Sequence, residues 1–174
     1  MKSVVDYDEM FPNRFLKSGL FAEKPISLTI KSVDTDELPA DDGTMKTKGI
    51  ITFEETDKQL TLNRTNGETI KCMFGRKAVD WVGKRVTFAS EIVKVKGQSV
   101  DGIRIVGSPD IEYAFVAEFD ITKKIGDKIR IEHNKRPLGI SDPNNHGDFK
   151  WIVEPPSVND KNRYPRPAET NEVK

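Results

Sequence analysis

The chain has 174 residues, and Lys plus Arg balance Asp plus Glu at 28 each, so no overall charge points to an anionic partner. No apolar run approaches the ~20 residues of a membrane-spanning helix, and Met1-Lys2-Ser3-Val4-Val5-Asp6 lacks the apolar stretch of a secretion signal. The single cysteine, Cys72, removes a disulfide framework, and the expectation is one soluble cytoplasmic domain with a tail.

Residues 1–24 carry Phe11, Phe15, Leu16, Leu20 and Phe21 around Pro12, and read as an irregular arm whose aromatics must dock elsewhere. Pro25 to Val33 is the first predicted strand, because Ile26, Leu28 and Ile30 alternate strictly with polar residues. An acidic loop, Asp34 to Asp42, follows. Gly49 to Glu55 and Gln59 to Leu62 then form a hairpin. From Thr65 the apolar period changes to that of a helix, with Ile70, Met73 and Phe74 on one side. Thr65-Asn66-Gly67-Glu68 has the form of a capping box, and Gly75 suits a left-handed C-cap. Lys84 to Val95 and Val100 to Val106 are two further strands, turning at Gly97.

Five strands with one short helix between the third and fourth is the layout of the OB-fold, a partly open barrel that binds oligonucleotides and oligosaccharides. The expected organisation is therefore an arm at 1–24, a mainly β OB-fold core at 25–107, and an added hairpin at 108–139 packed on that core. A Pro/Asn-rich flexible tail at 140–174 completes it, with Trp151-Ile152-Val153 as a docking point. The hairpin strands are read from Tyr113, Phe115, Ala117, Phe119 and Ile121, and from Ile129 and Ile131. The first face is apolar enough to be core or a subunit interface, and a homodimer is one expectation.

Several motifs together resemble a known family. They are Phe11-Pro12…Phe15-Leu16-Lys17, Phe53-Glu54-Glu55…Lys58…Leu60-Thr61-Leu62-Asn63-Arg64-Thr65-Asn66, Asp80-Trp81-Val82-Gly83-Lys84-Arg85-Val86, and Gly97…Val100…Ile103-Arg104-Ile105. Over residues 11 to 106 the chain resembles small bacteriophage proteins encoded among replication and recombination genes. The resemblance implies an OB-like barrel and a role on DNA in the bacterial host cytoplasm as a single-strand binder, with phage replication or recombination proteins as further partners. The C-terminus, Asn171-Glu172-Val173-Lys174, lacks the acidic, aromatic-ended tip by which many bacterial single-strand binders recruit partners.

Single-strand binding needs cations for phosphates and aromatic faces for bases. Between Ile70 and Gly107 eight basic side chains stand against three acidic ones, and between Lys123 and Arg136 six stand against two. Arg85, Lys94, Lys96 and Arg104 are the expected phosphate contacts, lining one trough on strands 4 and 5. Lys84, Arg76 and Lys77 join them, and Arg64 and Asn66 flank the helix start. The outward positions of strands 2 and 3 (Ile50, Thr52, Thr61, Asn63) offer no ring, so stacking falls to Trp81, Tyr113 or Phe115. For Trp81 a lid over the core is the competing role. The acidic loop would repel a phosphate backbone.

An enzyme is not expected. Gly83-Lys84 is followed by Arg85 with no glycine at P-loop spacing, G-x-S-x-G is absent, and His133, His146 and Cys72 cannot make a zinc-finger set. Asp110 with Asp148 and Lys150 is the only pairing of nuclease type. No cofactor or metal is implied. Sequence-independent binding of single-stranded DNA is the leading expectation. The alternative is a non-enzymatic adaptor using the barrel, or the apolar Tyr113–Ile121 face, to hold a phage or host protein.

Overall fold

The computed structural model describes residues 14–40, 42–95, 97–144 and 148–159; Lys96, most of the predicted arm and the end of the predicted tail lie outside them. The chain is mainly β. Strand β1 (Ile26–Pro39) pairs antiparallel with β2 (Met45–Phe53) and, through its first residues, with β4 (Arg85–Val95). Strand β3 (Leu60–Leu62) adds to β2, and β5 (Gln98–Gly107) adds to β4. The resulting five-stranded antiparallel sheet has the order β3-β2-β1-β4-β5.

The segment read as an acidic loop is mostly strand. Residues Asp34 to Pro39 continue β1 against β2, with Asp36 opposite Lys48 and Leu38 opposite Lys46. Opposite charges directly across an antiparallel pair stabilise it, an effect that local hydrophobic alternation does not register. A bulge between Ile30 and Ser32 shifts the alternation, so that Leu28 and Ile30 before it and Val33 after it all reach the core.

Helix α1 (Arg64–Phe74) follows β3 at once. Its N-cap is Asn63, not Thr65: the Asn63 side-chain oxygen accepts the Asn66 N–H at 2.8 Å. Asn caps at least as well as Thr, so the helix starts two residues earlier than the Thr65-x-x-Glu68 pattern implied. Glu68 is left to pair with Lys71 at 2.7 Å and Arg64 at 3.5 Å. Gly75 ends the helix at φ 97°, where its N–H donates to the Lys71 carbonyl. Ile70 and Met73 are buried among the strands, with Phe74 packed beside them.

Strand β6 (Phe115–Ile125) and β7 (Lys128–Leu138) form a hairpin ribbon of uninterrupted register, Phe115 opposite Leu138 through Ile125 opposite Lys128. Phe115, Ala117 and Leu138 lie in one cluster with Val86, Phe88 and Ile105, so the core does not end at Gly107. The apolar Tyr113–Ile121 face is therefore largely interior, although Tyr113 itself is 40% exposed. Within the predicted flexible tail, β8 (Ile140–Ser141) pairs with β9 (Trp151–Val153). The Trp151 ring lies against Gly139 so closely that a Cβ there would be 2.7 Å from it.

At the other end, Arg14 to Leu16 run parallel to Gln59: Leu16 N–H donates to the Gln59 carbonyl and Gln59 N–H to the Arg14 carbonyl, both at 2.8 Å. Phe21 then enters the core, its ring 5.9 Å from that of Phe88. Among the described residues no helix is long and apolar enough to cross a membrane.

Candidate nucleic-acid interface

Strands β3 and β5 end the sheet on its two sides, and among the described residues no ladder joins them. A cleft of about 380 Å³ opens there. Thr61 and Asn63 line it from the β3 side, Val93, Gly102 and Arg104 from the β4–β5 hairpin, and Leu16 and Ser18 from the arm. The seam is shaped by glycine on the β5 side, where a Cβ on Gly102 would meet a Val93 methyl at 2.9 Å.

Asn66 holds the seam at one point. Its side-chain NH₂ donates to the Ile103 carbonyl at 3.0 Å, tying the first turn of α1 to β5. The residue is 1% exposed and also lines the cleft, and its amide oxygen is buried with no partner among the described residues. With the amide nitrogen held by Ile103, the orientation of the group is fixed.

Arg104 is the cation that the cleft contains. Its guanidinium donates to the Ile103 carbonyl at 3.2 Å and makes no ion pair among the described residues. Burial pulls its pKa below the ordinary value, the neighbouring Arg136 charge pulls the same way, and Glu91 only partly opposes them. Glu91 is already engaged, since Arg136 reaches over from β7 and grips it with two hydrogen bonds at 3.0 and 2.6 Å. Arg136 also donates to the Ile105 carbonyl at 3.3 Å, which fastens the ribbon to β5. A half-buried guanidinium beside another one favours an added anion.

The other expected phosphate contacts do not converge on Arg104. Arg85 forms a bidentate pair with Asp110, Nη2 to Oδ1 at 2.6 Å and Nε to Oδ2 at 3.1 Å, and its backbone N–H donates to Oδ2 at 2.7 Å. That carboxylate also removes Asp110 from the nuclease pairing with Asp148 and Lys150. Lys94 is exposed and pairs with Ser99 at the far end of β4, five positions from Ala89, the ladder partner of Arg104, and so on the opposite face by parity. Arg64 is largely exposed and pairs with Glu68. Lys84 is exposed, with its ammonium 6.0 Å from the centre of the Phe74 ring. Arg85, Lys94 and Arg104 do not share a trough, and Lys96 lies outside the described residues; alternation located outward faces but not partners.

Trp81 is 7% exposed and its indole N–H donates to the Gly75 carbonyl at 2.8 Å, so it closes the core below α1 and is not a stacking platform. Phe115 is interior, and of the proposed stackers Tyr113 alone is on the surface. Ile50, assigned outward on β2, is buried as well. The acidic loop's threat to a phosphate backbone is reduced, because Arg14 pairs with Asp36 at 2.8 Å and Lys46 and Lys48 face the acidic stretch. Sequence reasoning set Asn66 beside Arg64 as a residue that could face a ligand, and Asn66 lines the cleft; it counted Arg136 only as one cation of the 123–136 stretch, because the tie to Glu91 spans 45 residues, beyond any local signal.

No protein-family model matches this chain, and neither a curated protein nor a solved structure matches it significantly.

Proposed function

We propose that the chain is an OB-type phage protein that binds single-stranded DNA without sequence preference during replication or recombination, and that the strand enters the seam between β3 and β5. The observation that carries this reading is Arg104, a partly buried guanidinium that makes no ion pair among the described residues, in an open cleft between two sheet edges. A phosphate beside it would offset both the burial and the Arg136 repulsion. The sheet order β3-β2-β1-β4-β5, with a helix after β3, supports this reading, because it is the order an OB barrel would show if opened between β3 and β5. The resemblance of the residue motifs to phage replication-region proteins, read from the sequence, is in keeping with this proposal. The adaptor alternative loses one of its two surfaces, because the Tyr113–Ile121 face is largely occupied by the chain's own core.

The test is anisotropy of a fluorescein-labelled oligo-dT, since buried Trp81 would report poorly. Affinity should fall steeply between low and moderate salt as counterions are released. Arg104→Ala should weaken it by about tenfold, the scale of one charge-assisted contact, and flatten the salt slope by about 0.7. Asp101→Asn, which removes a carboxylate from the same lining, should tighten binding a few-fold. Absence of binding at low salt would leave the adaptor reading in its place.

A further inference from the structure

The β6–β7 ribbon is anchored at one end only. Its base is locked by buried Phe115, Ala117 and Leu138 and by the Arg136–Glu91 pair. Beyond Ile121, the last buried position, every residue of β6 is exposed, as are the first four of β7. Four residues of β6 past Ile121 give a projection of about 14 Å at ~3.4 Å per residue. Gly126 at φ 61° makes the tight two-residue turn that lets the register run unbroken to the tip.

The composition of that projection is unusual for a solvent-facing hairpin. Lys123, Lys124, Lys128 and Arg130 stand there with a single carboxylate, Asp127, at the turn. Lys123 is held by Glu132 at 2.8 Å, whereas Lys124, Lys128 and Arg130 make no ion pair among the described residues. On one face Ile129 and Ile131, 71% and 57% exposed, stand beside Lys124 and Thr122, their cross-strand partners. On the other face Arg130 lies opposite Lys123, and Lys128 opposite Ile125. Both faces thus mix cations with isoleucines that nothing among the described residues covers.

We propose that this ribbon is a second nucleic-acid element, entering the major groove of duplex DNA. Size decides the groove. Two strands about 4.8 Å apart, with side chains, approach ~10 Å in width, which fits the ~12 Å major groove of B-DNA and not its ~6 Å minor groove. The projection exceeds the ~8.5 Å depth of that groove, so the tip reaches the base edges while the free cations meet the flanking phosphates. Ile129 and Ile131 supply apolar contact of the kind a thymine methyl accepts. A membrane is the less suitable partner, because Asp127 occupies the tip, where a surface-inserting hairpin would need its apolar residues. Duplex RNA is excluded by the same geometry, since its major groove is deep and too narrow for side chains to read. With the seam holding a single strand and the ribbon a duplex, the protein would sit at a single-strand to duplex junction. The ribbon reading stands independently of the seam.

The experiment compares the full chain with Lys124→Ala/Lys128→Ala/Arg130→Ala, binding a labelled 20-base-pair DNA duplex, the matching RNA duplex, oligo-dT and phosphatidylserine vesicles. The native chain should prefer DNA duplex to RNA duplex. The triple variant should lose about tenfold or more on DNA duplex and flatten its salt slope by roughly 2–3. Its oligo-dT affinity and melting temperature should stay within twofold and a few degrees of the native chain, and Arg104→Ala should show the reverse pattern. Equal loss on both duplexes would overturn groove entry. Undiminished duplex binding by the variant, no duplex binding at low salt, or preference for vesicles would each overturn the assignment.

Discussion

Asp110 shows how a single residue decides the fate of its neighbour. Burial alone would raise its pKa, but the side-chain and backbone hydrogen bonds from Arg85, with the charges of Arg85 and Lys84, outweigh burial and hold it below the ordinary carboxylate value. A carboxylate whose pKa is lowered by folding stabilises the folded state above its unfolded pKa of about 4, and that contribution fades as pH falls through the lower, folded value. Asp110→Asn should therefore lower the urea midpoint at neutral pH, and the gap to the native chain should close progressively below about pH 4. At neutral pH the cost should be about 2 kcal/mol, the scale of a charged hydrogen-bond set left unpaired. A gap that persists unchanged into acid would mean that the pair does not act through its charge. The sequence could say that Arg85 points away from Val86 and Phe88, as it does; it carried no sign of Asp110 as a partner, because no period links positions 25 residues apart. Arg104 was legible for the same reason that Arg85 was misjudged: alternation gives a side chain's direction and nothing about what waits there.

Elements with strong periodicity were read almost to their ends. Strands β4 and β5 and helix α1 lie where alternation or helical spacing puts them, and the C-cap at Gly75 has the positive φ expected of it; the β6–β7 ribbon is located by the alternation, but its strands run on past it, to Ile125 and to Leu138. The failures were at positions where two chemistries competed. Asn63 and Thr65 are both good caps, and the structure uses Asn63. Asn63→Ala should cost about 1 kcal/mol in denaturant unfolding, whereas Thr65→Ala, whose hydroxyl makes no cap bond, should stay within about 0.5 kcal/mol. Equal effects would reverse the assignment. The far half of β1 escapes the alternation because its support includes Asp36 opposite Lys48, and charge complementarity across a ladder is visible only when the register is known.

At the scale of the whole molecule, the predicted boundary at Gly107 does not divide two cores. Phe115, Ala117 and Leu138 complete the cluster around Phe88 and Ile105, and Trp151 closes on Gly107 and Gly139 behind them. A chain ending at Gly107 would expose those surfaces, each large apolar side chain being worth about 1.5–3 kcal/mol when buried. It should show no cooperative urea transition, and a sharp transition with a native-like slope would refute the shared core. Gly139→Ala in the full chain should cost about 1–3 kcal/mol through overpacking against Trp151, read as a lowered thermal midpoint.

The absence of a ladder between β3 and β5 among the described residues has a mechanical consequence. A fully zipped cylinder of these strands could admit a guest only by tearing backbone bonds along a ladder. Among the described residues one side-chain hydrogen bond, from Asn66 in the helix after β3 to the Ile103 carbonyl, stitches the two sides, so the girth of the sheet could widen without dismantling any β-pairing. Entry would then be limited by the rupture of that single stitch, and the strand registers would be the same whether the gap is full or empty.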